Sequence, residues 1–178
     1  MHALGTLFER YKQPLFGFLL RILHDHALAE DVLVETFLRV HDRCRTYKRG
    51  LKFTTWLYTI AHHLAADHLR RLSRSEKLDT QLTLETPTAQ YDSTQEECAR
   101  SELAEIVRKA LNSLPEDQRV VVVLREYEGF SYREIAAITG ASEEAVRVRA
   151  HRARIALRKI LEPYVQGDPD AAVTFVTS

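Results

Sequence analysis

The chain has 178 residues, with 25 Lys and Arg balanced by 25 Asp and Glu and a 45% hydrophobic fraction, which suits one or two small globular domains and excludes a disordered or fibrous chain. No apolar run approaches the ~18–20 residues of a membrane span, so membrane insertion is not expected. Two cysteines in no ligand spacing, behind an N-terminus lacking a basic-then-apolar signal pattern, point to a reducing cytoplasm and away from a disulfide scaffold.

The neutral total conceals blocks. Residues 1–74 carry 12 Lys and Arg against 7 Asp and Glu, residues 75–105 carry 2 against 8, and residues 106–162 carry 11 against 8. Two basic blocks flanking an acidic one suggest polyanion contact by the blocks.

Helical periodicity runs through nearly the whole chain, and no alternating strand pattern persists. Residues 4–24 read as a helix that Pro14, lacking a backbone donor, should kink or divide. Residues 27–45 read as a second helix and 54–72 as a third. The stretch "SRSEKLDTQLTLETPTAQYDSTQEE" then loses periodicity, so 74–93 reads as an acidic, polar linker. Ser93 and Glu96 have capping-box spacing for a helix running to Asn112. Ser113, Pro115 and Glu116 open another, which stops at Glu128–Gly129. The expected fold is all-α, with two small helical domains, 1–73 and 94–162, joined by a flexible linker and followed by a tail over 163–178.

Helix 27–45 has a core stripe of Leu33, Phe37, Val40 and Cys44. A second stripe of Asp31, Val34, Glu35, Leu38 and Arg39 mixes charge with apolar groups. A purely solvated face has no need of Val34 and Leu38, so this stripe reads as a docking surface.

Helix 54–72 is expected to bury Leu57, Ile60, Leu64 and Leu72. Its other face carries Thr59, His63, Asp67 and Arg70, with Trp56 and Tyr58 near its start. Just upstream, "YKRGLKF" supplies Lys48, Arg49, Lys52 and Phe53. Basic residues interleaved with aromatics suit single-stranded nucleic acid, because charge follows the backbone while rings stack on bases. Trp56 taken alone is also an ordinary core residue. The histidines of "HHLAADH" raise the question of a metal. His63 and Asp67 share a helical face, but His68 lies about 140° from His63 at ~100° per residue. No third ligand joins the pair, whereas catalytic zinc takes three and structural zinc four. His62 and His63 therefore fit a nucleic-acid edge better, and no metal or other cofactor is expected.

The stretch "FSYREIAAITGASEEAVRVRAHRARIALRKIL" is the most informative. Ser131 and Glu134 form a capping box, Gly140 allows a tight turn, and Ser142 caps a second helix whose first turn holds Glu143 and Glu144. A short helix, a turn with glycine and a second helix make a helix-turn-helix. Val146, Ala150, Ala153, Leu157 and Ile160 should pack inward. Between 144 and 159 six Lys and Arg face one Glu. A helix entering the major groove needs base-reading side chains in its first turns and phosphate-binding arginines beyond them. Arg147, Val148, His151 and Arg152 are the base-edge candidates. Arg149, Arg154 and Arg158 suit phosphate or structural roles, and Ser142 and Glu144 lie at the same helix start.

The motifs "AEDVLVETFLRV", "FTTWLYTIAHHLAADHLRR" and "LNSLPEDQRVVVVLREYEGFSYREIAAITGASEEAVRVRAHRARIALRKIL", in that order, resemble bacterial RNA polymerase sigma factors of the extracytoplasmic function (ECF) group. The resemblance implies a first domain that docks on core RNA polymerase and melts the −10 element, and a second that reads the −35 element of promoter DNA as duplex. It implies polymerase docking by Asp31, Glu35, Leu38 and Arg39, with Val34 on the same face. It implies −10 contact by Phe53, Trp56, Tyr58 and His63, and −35 reading by Arg147, Val148, His151 and Arg152. An anti-sigma partner is also implied. Three positions depart from the pattern. Val34 replaces a frequent glutamine, His62 and His63 replace an Arg-Asn pair, and Val148 replaces a frequent serine and offers only apolar contact, for example to a thymine methyl. No nucleophile–base pair or phosphate loop is legible, so no enzymatic activity is expected. The other readings are a decoy that titrates an anti-sigma factor, a helix-turn-helix repressor and, more remotely, a metal hydrolase.

Overall fold

The computed structural model describes residues 2–44, 47, 52–78 and 95–165, and all regular structure among them is helical. The expectations for Lys48, Arg49 and Ser93, for the linker beyond Leu78 and for most of the tail lie outside these residues.

Helix α1 spans His2–Leu23 and is continuous through Pro14. The expected division does not occur, because Pro14 is exposed while Leu15, Phe18, Leu19 and Ile22 are buried. The carbonyl left without its usual N–H partner therefore belongs to the solvent side, and burial of four large side chains at ~1.5–3 kcal/mol each outweighs the lost bond. His24 ends α1 in the left-handed region at φ 60°. Asp25 then caps α2, His26–Arg43, accepting from the Leu28 N–H at 2.8 Å.

Helix α2 buries Leu33, Phe37 and Val40 as its periodicity predicts, but Cys44 is exposed. The helix ends at Arg43, so Cys44 caps it from beyond the last turn and does not extend the core stripe. Helix α3 spans Phe53–Leu78, so residues 74–78 of the expected linker are helical. Leu57, Ile60 and Leu64 are buried; Leu72 is 46% exposed. Leu72 lies eight residues past Leu64, about 80° around the helix at ~100° per residue, and has rotated off the buried face.

Helix α4, Gln95–Asn112, ends where the sequence predicts. Helix α5, Glu116–Val122, starts one position after Pro115 with no side-chain cap. Ser113 does not cap it, since its hydroxyl donates back to the Ala110 carbonyl at 2.7 Å. A π-helical turn, Val123–Tyr127, extends α5, and Glu128 closes it by donating its N–H to Val123 O at 3.3 Å. Helix α6, Tyr132–Thr139, carries the complete Ser131–Glu134 capping box and ends at Gly140, φ 70°. Helix α7 runs Glu143–Val165, and Ser142 Oγ accepts from the Ala145 N–H at 3.1 Å.

Helices α1–α3 and α5–α7 share one apolar cluster. Phe18, Val32 and Leu57 on one side are continuous with Val121, Leu124, Ile135 and Val146 on the other. A smaller cluster of Leu111, Leu114, Val122 and Ala153 holds α4 and α5 against α7.

Candidate nucleic-acid interface

Three surfaces carry the side chains singled out in the sequence. The first is the outer face of α2. Val34 is 53% and Leu38 60% exposed, and Asp31 and Arg39 are exposed beside them. Glu35 joins this stripe to α3: it accepts from Arg39 at 3.1 Å and lies 3.6 Å from His68 Nε2. The face thus sets two exposed apolar side chains, Val34 and Leu38, beside the charged Asp31, Glu35 and Arg39.

The second surface is divided between two sides of α3. Near its start, Phe53 and Trp56 form an aromatic group with Tyr47 and Tyr11, with ring centroids 5.1–6.0 Å apart. Trp56 is half-buried there. Tyr58 points the other way. It is 3% exposed, its ring meets Phe130 at 4.9 Å, and its hydroxyl donates to Glu128 Oε2 at 2.5 Å. Burial and this hydrogen bond push the Tyr58 hydroxyl's pKa up, and burial also raises that of the Glu128 carboxyl. Lys52 is exposed but reaches across to Glu134 at 2.7 Å. That contact, with the Ser131 hydroxyl and N–H, holds the Glu134 carboxyl down to about 2.

Further along α3 a pocket of about 320 Å³ opens toward α2. Arg39 and Arg43 line it from α2, and His63, Asp67 and Arg70 from α3, over Ile60 and Leu64. Arg70 is paired with Asp67 at 2.5 Å. The spacing that selects Arg39 also contains Arg43, one turn on, which the sequence reading missed. His62 is not at this edge. It is half-buried, its Nδ1 has no protein partner, and burial, with His63 and Arg70 nearby, lowers its pKa to about 4. A half-buried imidazole stands where the sequence suggested a nucleic-acid contact.

The third surface is α7. Val146, Ala150 and Ala153 are buried, and Arg147, Val148, His151 and Arg152 are exposed. The arginines differ in what already holds them. Arg147 pairs with Glu143 at 2.5 Å. Arg149 reaches Asp117 of α5 at 3.0 Å. Arg154 donates to Glu126 and to the Tyr132 hydroxyl, each at 3.2 Å. Ser142 is occupied as the helix cap, and Glu144 is exposed beside it. Among the described residues no group of three His, Cys, Asp or Glu could hold a metal ion, and no helix is long and apolar enough to cross a membrane.

Comparison with known proteins matches the two halves separately. Residues 7–75 match Sigma-70 region 2, and residues 104–157 match Sigma-70, region 4. The RNA polymerase sigma factor CarQ of Myxococcus xanthus is 37% identical, over 89% of both chains. The ECF RNA polymerase sigma-E factor of Haemophilus influenzae is 30% identical, over 90% of this chain and 88% of that one. The sigma factor RpoE of Bartonella quintana, solved in complex with the anti-sigma factor NepR, shares 26% identity and superposes with a TM-score of 0.75, covering 91% of this chain and 98% of that one. Both sigma-70 regions, in order and on a fold shared along nearly the whole length, make the chain a member of the ECF group of the sigma-70 family.

Proposed function

We propose that the chain binds core RNA polymerase and directs initiation at promoters with a −10 and a −35 element. The observation that carries this reading is the exposed row Val148, His151 and Arg152 on α7, behind a glycine turn and a complete capping box. Such a helix suits the major groove, with Arg152 suited to a guanine edge and Val148 to a thymine methyl. The outer face of α2, where Val34 and Leu38 are exposed beside charged residues, suits docking on the polymerase. The −10 element is assigned to the aromatic group at the start of α3 and to the arginine-lined pocket beside His63, which together supply stacking rings and phosphate partners. The contribution of the protein is differential binding: contacts to unstacked bases offset the few kcal/mol that strand separation costs. No covalent step is assigned to any side chain. The working compartment is the cytoplasm, and an anti-sigma protein is the expected regulatory partner.

Run-off transcription with purified chain, core polymerase and fragmented genomic DNA tests this. Discrete 5′ ends that depend on the chain and share two upstream elements are the expected result. Absence of specific starts from folded protein, with an active control factor, would shift the reading to an anti-sigma decoy or a repressor.

A further inference from the structure

Arg147 differs from its neighbours on the exposed side of α7 because two groups already hold it. Its Nη2 donates to Glu143 Oε1, one turn back, at 2.5 Å. Its guanidinium carbon lies over the Tyr132 ring, 5.7 Å from the centroid. Glu143 belongs to the first turn of α7 and Tyr132 to the first turn of α6, so the restraints come from two elements. Each is weak by itself, since exposed ion pairs and exposed cation–π contacts contribute little. Together they act on different sides of one planar group: the carboxylate holds an N–H while the ring limits where the guanidinium can swing. A guanidinium has five N–H donors, and those not given to Glu143 remain for a bidentate contact with a guanine edge.

The ring is itself fixed. Tyr132 packs against the main apolar cluster, its hydroxyl accepts from Arg154 Nη2 at 3.2 Å, and Arg125 lies 5.0 Å over the ring. Arg154 is tied in turn to Glu126 at 3.2 Å, and Arg125 donates to the Phe130 carbonyl at 3.1 Å. Tyr132 is therefore braced by α7, by the π-helical turn and by the core. Arg152, on the same reading face, makes no ion pair among the described residues. A long side chain that is ordered before binding loses less rotamer entropy on contact than one ordered by the ligand.

We propose that Glu143 and Tyr132 are positioning residues that hold Arg147 in the orientation that reads one base pair of the −35 element. The positioning stands on the contacts themselves; what Arg147 reads rests on the assignment of α7 to the −35 duplex. Arg147 is thus set before the duplex arrives, whereas Arg152 is ordered by the DNA.

The test has two arms, both on the full chain. In the first, the chain and core polymerase transcribe a promoter set in which each −35 base pair is changed singly. Discrimination is the ratio of initiation between the preferred and the changed pair. Arg147→Ala identifies its base pair by losing about fivefold or more there; a loss uniform across the set overturns the reading role. At that base pair Glu143→Ala and Tyr132→Leu lose about two- to threefold. Glu143→Gln, which keeps an acceptor, and Tyr132→Phe, which keeps the ring, discriminate like wild type. Undiminished discrimination in Glu143→Ala, or an equal loss at every base pair, overturns the proposal. Glu143 is exposed, so this variant decides the outcome even where Tyr132→Leu does not fold. In the second arm, without polymerase or DNA, ¹⁵N relaxation of the arginine Nε–H groups compares Arg147 with Arg152. Arg147 is the more ordered in wild type and loses that order in Glu143→Ala; equal mobility of the two in wild type overturns the positioning. Absence of chain-dependent initiation from every promoter overturns the −35 reading instead, with the relaxation still deciding the positioning.

Discussion

Arg152 and Arg154 stand two positions apart on α7 with different surroundings. Arg154 is held by Glu126 and Tyr132, whereas Arg152 is exposed and makes no ion pair among the described residues. Arg152→Ala is therefore expected to cost about 1–3 kcal/mol of discrimination at one −35 base pair, read by binding to a panel of single-substituted duplexes. A loss uniform across the panel would make Arg152 a phosphate contact. Arg154→Ala should instead lower thermal stability and weaken all duplexes together. Gly140 separates α6 from α7 at φ 70°, and a Cβ added there would meet nothing within 4 Å. Gly140→Ala is therefore free of clash and should lose only the backbone preference, about 1–2 kcal/mol in urea unfolding. A smaller loss for Gly140→Asn, whose side chain tolerates this region, would separate conformation from packing.

Helix α2 keeps stability and docking on separate faces. Leu33, Phe37 and Val40 are buried against α1 and α3, whereas Leu38 stands 60% exposed between Glu35 and Arg39. Leu38→Glu should leave unfolding within about ±0.5 kcal/mol, as for most surface substitutions, yet weaken association with core polymerase by about tenfold or more if Leu38 anchors the contact. Surface-immobilised polymerase measures this directly, and unchanged affinity would remove Leu38 from the docking surface. Helix α3 divides its labour differently. Its start carries the Phe53–Trp56 aromatic group, its middle faces α2 across the arginine-lined pocket, and Tyr58 turns toward Glu128 and Phe130.

Across the whole molecule, stability should depend on pH through two enclosed histidines. Burial, then Arg119 and Arg108, lowers His24 to about 4, and burial, then His63 and Arg70, does the same for His62. Both regain their ordinary value of about 6.5 when the chain unfolds, so the unfolded state binds more protons between the two limits. Stability is complete above about pH 6.5 and declines as pH falls toward about 4. Urea midpoints across that range measure the decline, and His62→Gln should flatten it; an equal slope in the variant would assign the loss to other groups.

The helices, their caps and the helix-turn-helix are legible in the sequence because they depend on neighbours three or four positions away. Ser131, Glu134, Gly140 and Ser142 do locally what their residue types dictate, and the inward face of α7 follows from its 3.6-residue period. The docking stripe on α2 is visible for the same reason. Cys44 and Ser113 are misplaced at helix ends, where a single residue of extension decides a side chain's role, and Leu72 is misplaced within α3, where its angle carries it off the buried face. Tyr58 and His62 read as part of a nucleic-acid surface because periodicity tells which residues share a face, not what covers it. Tyr58 meets Glu128, 70 positions away, through a π-helical turn that no local pattern announces. Helix formation is a matter of adjacent residues and follows from the sequence alone; the covering of α3 by α6 is a matter of long-range packing and is decided only where the two halves meet.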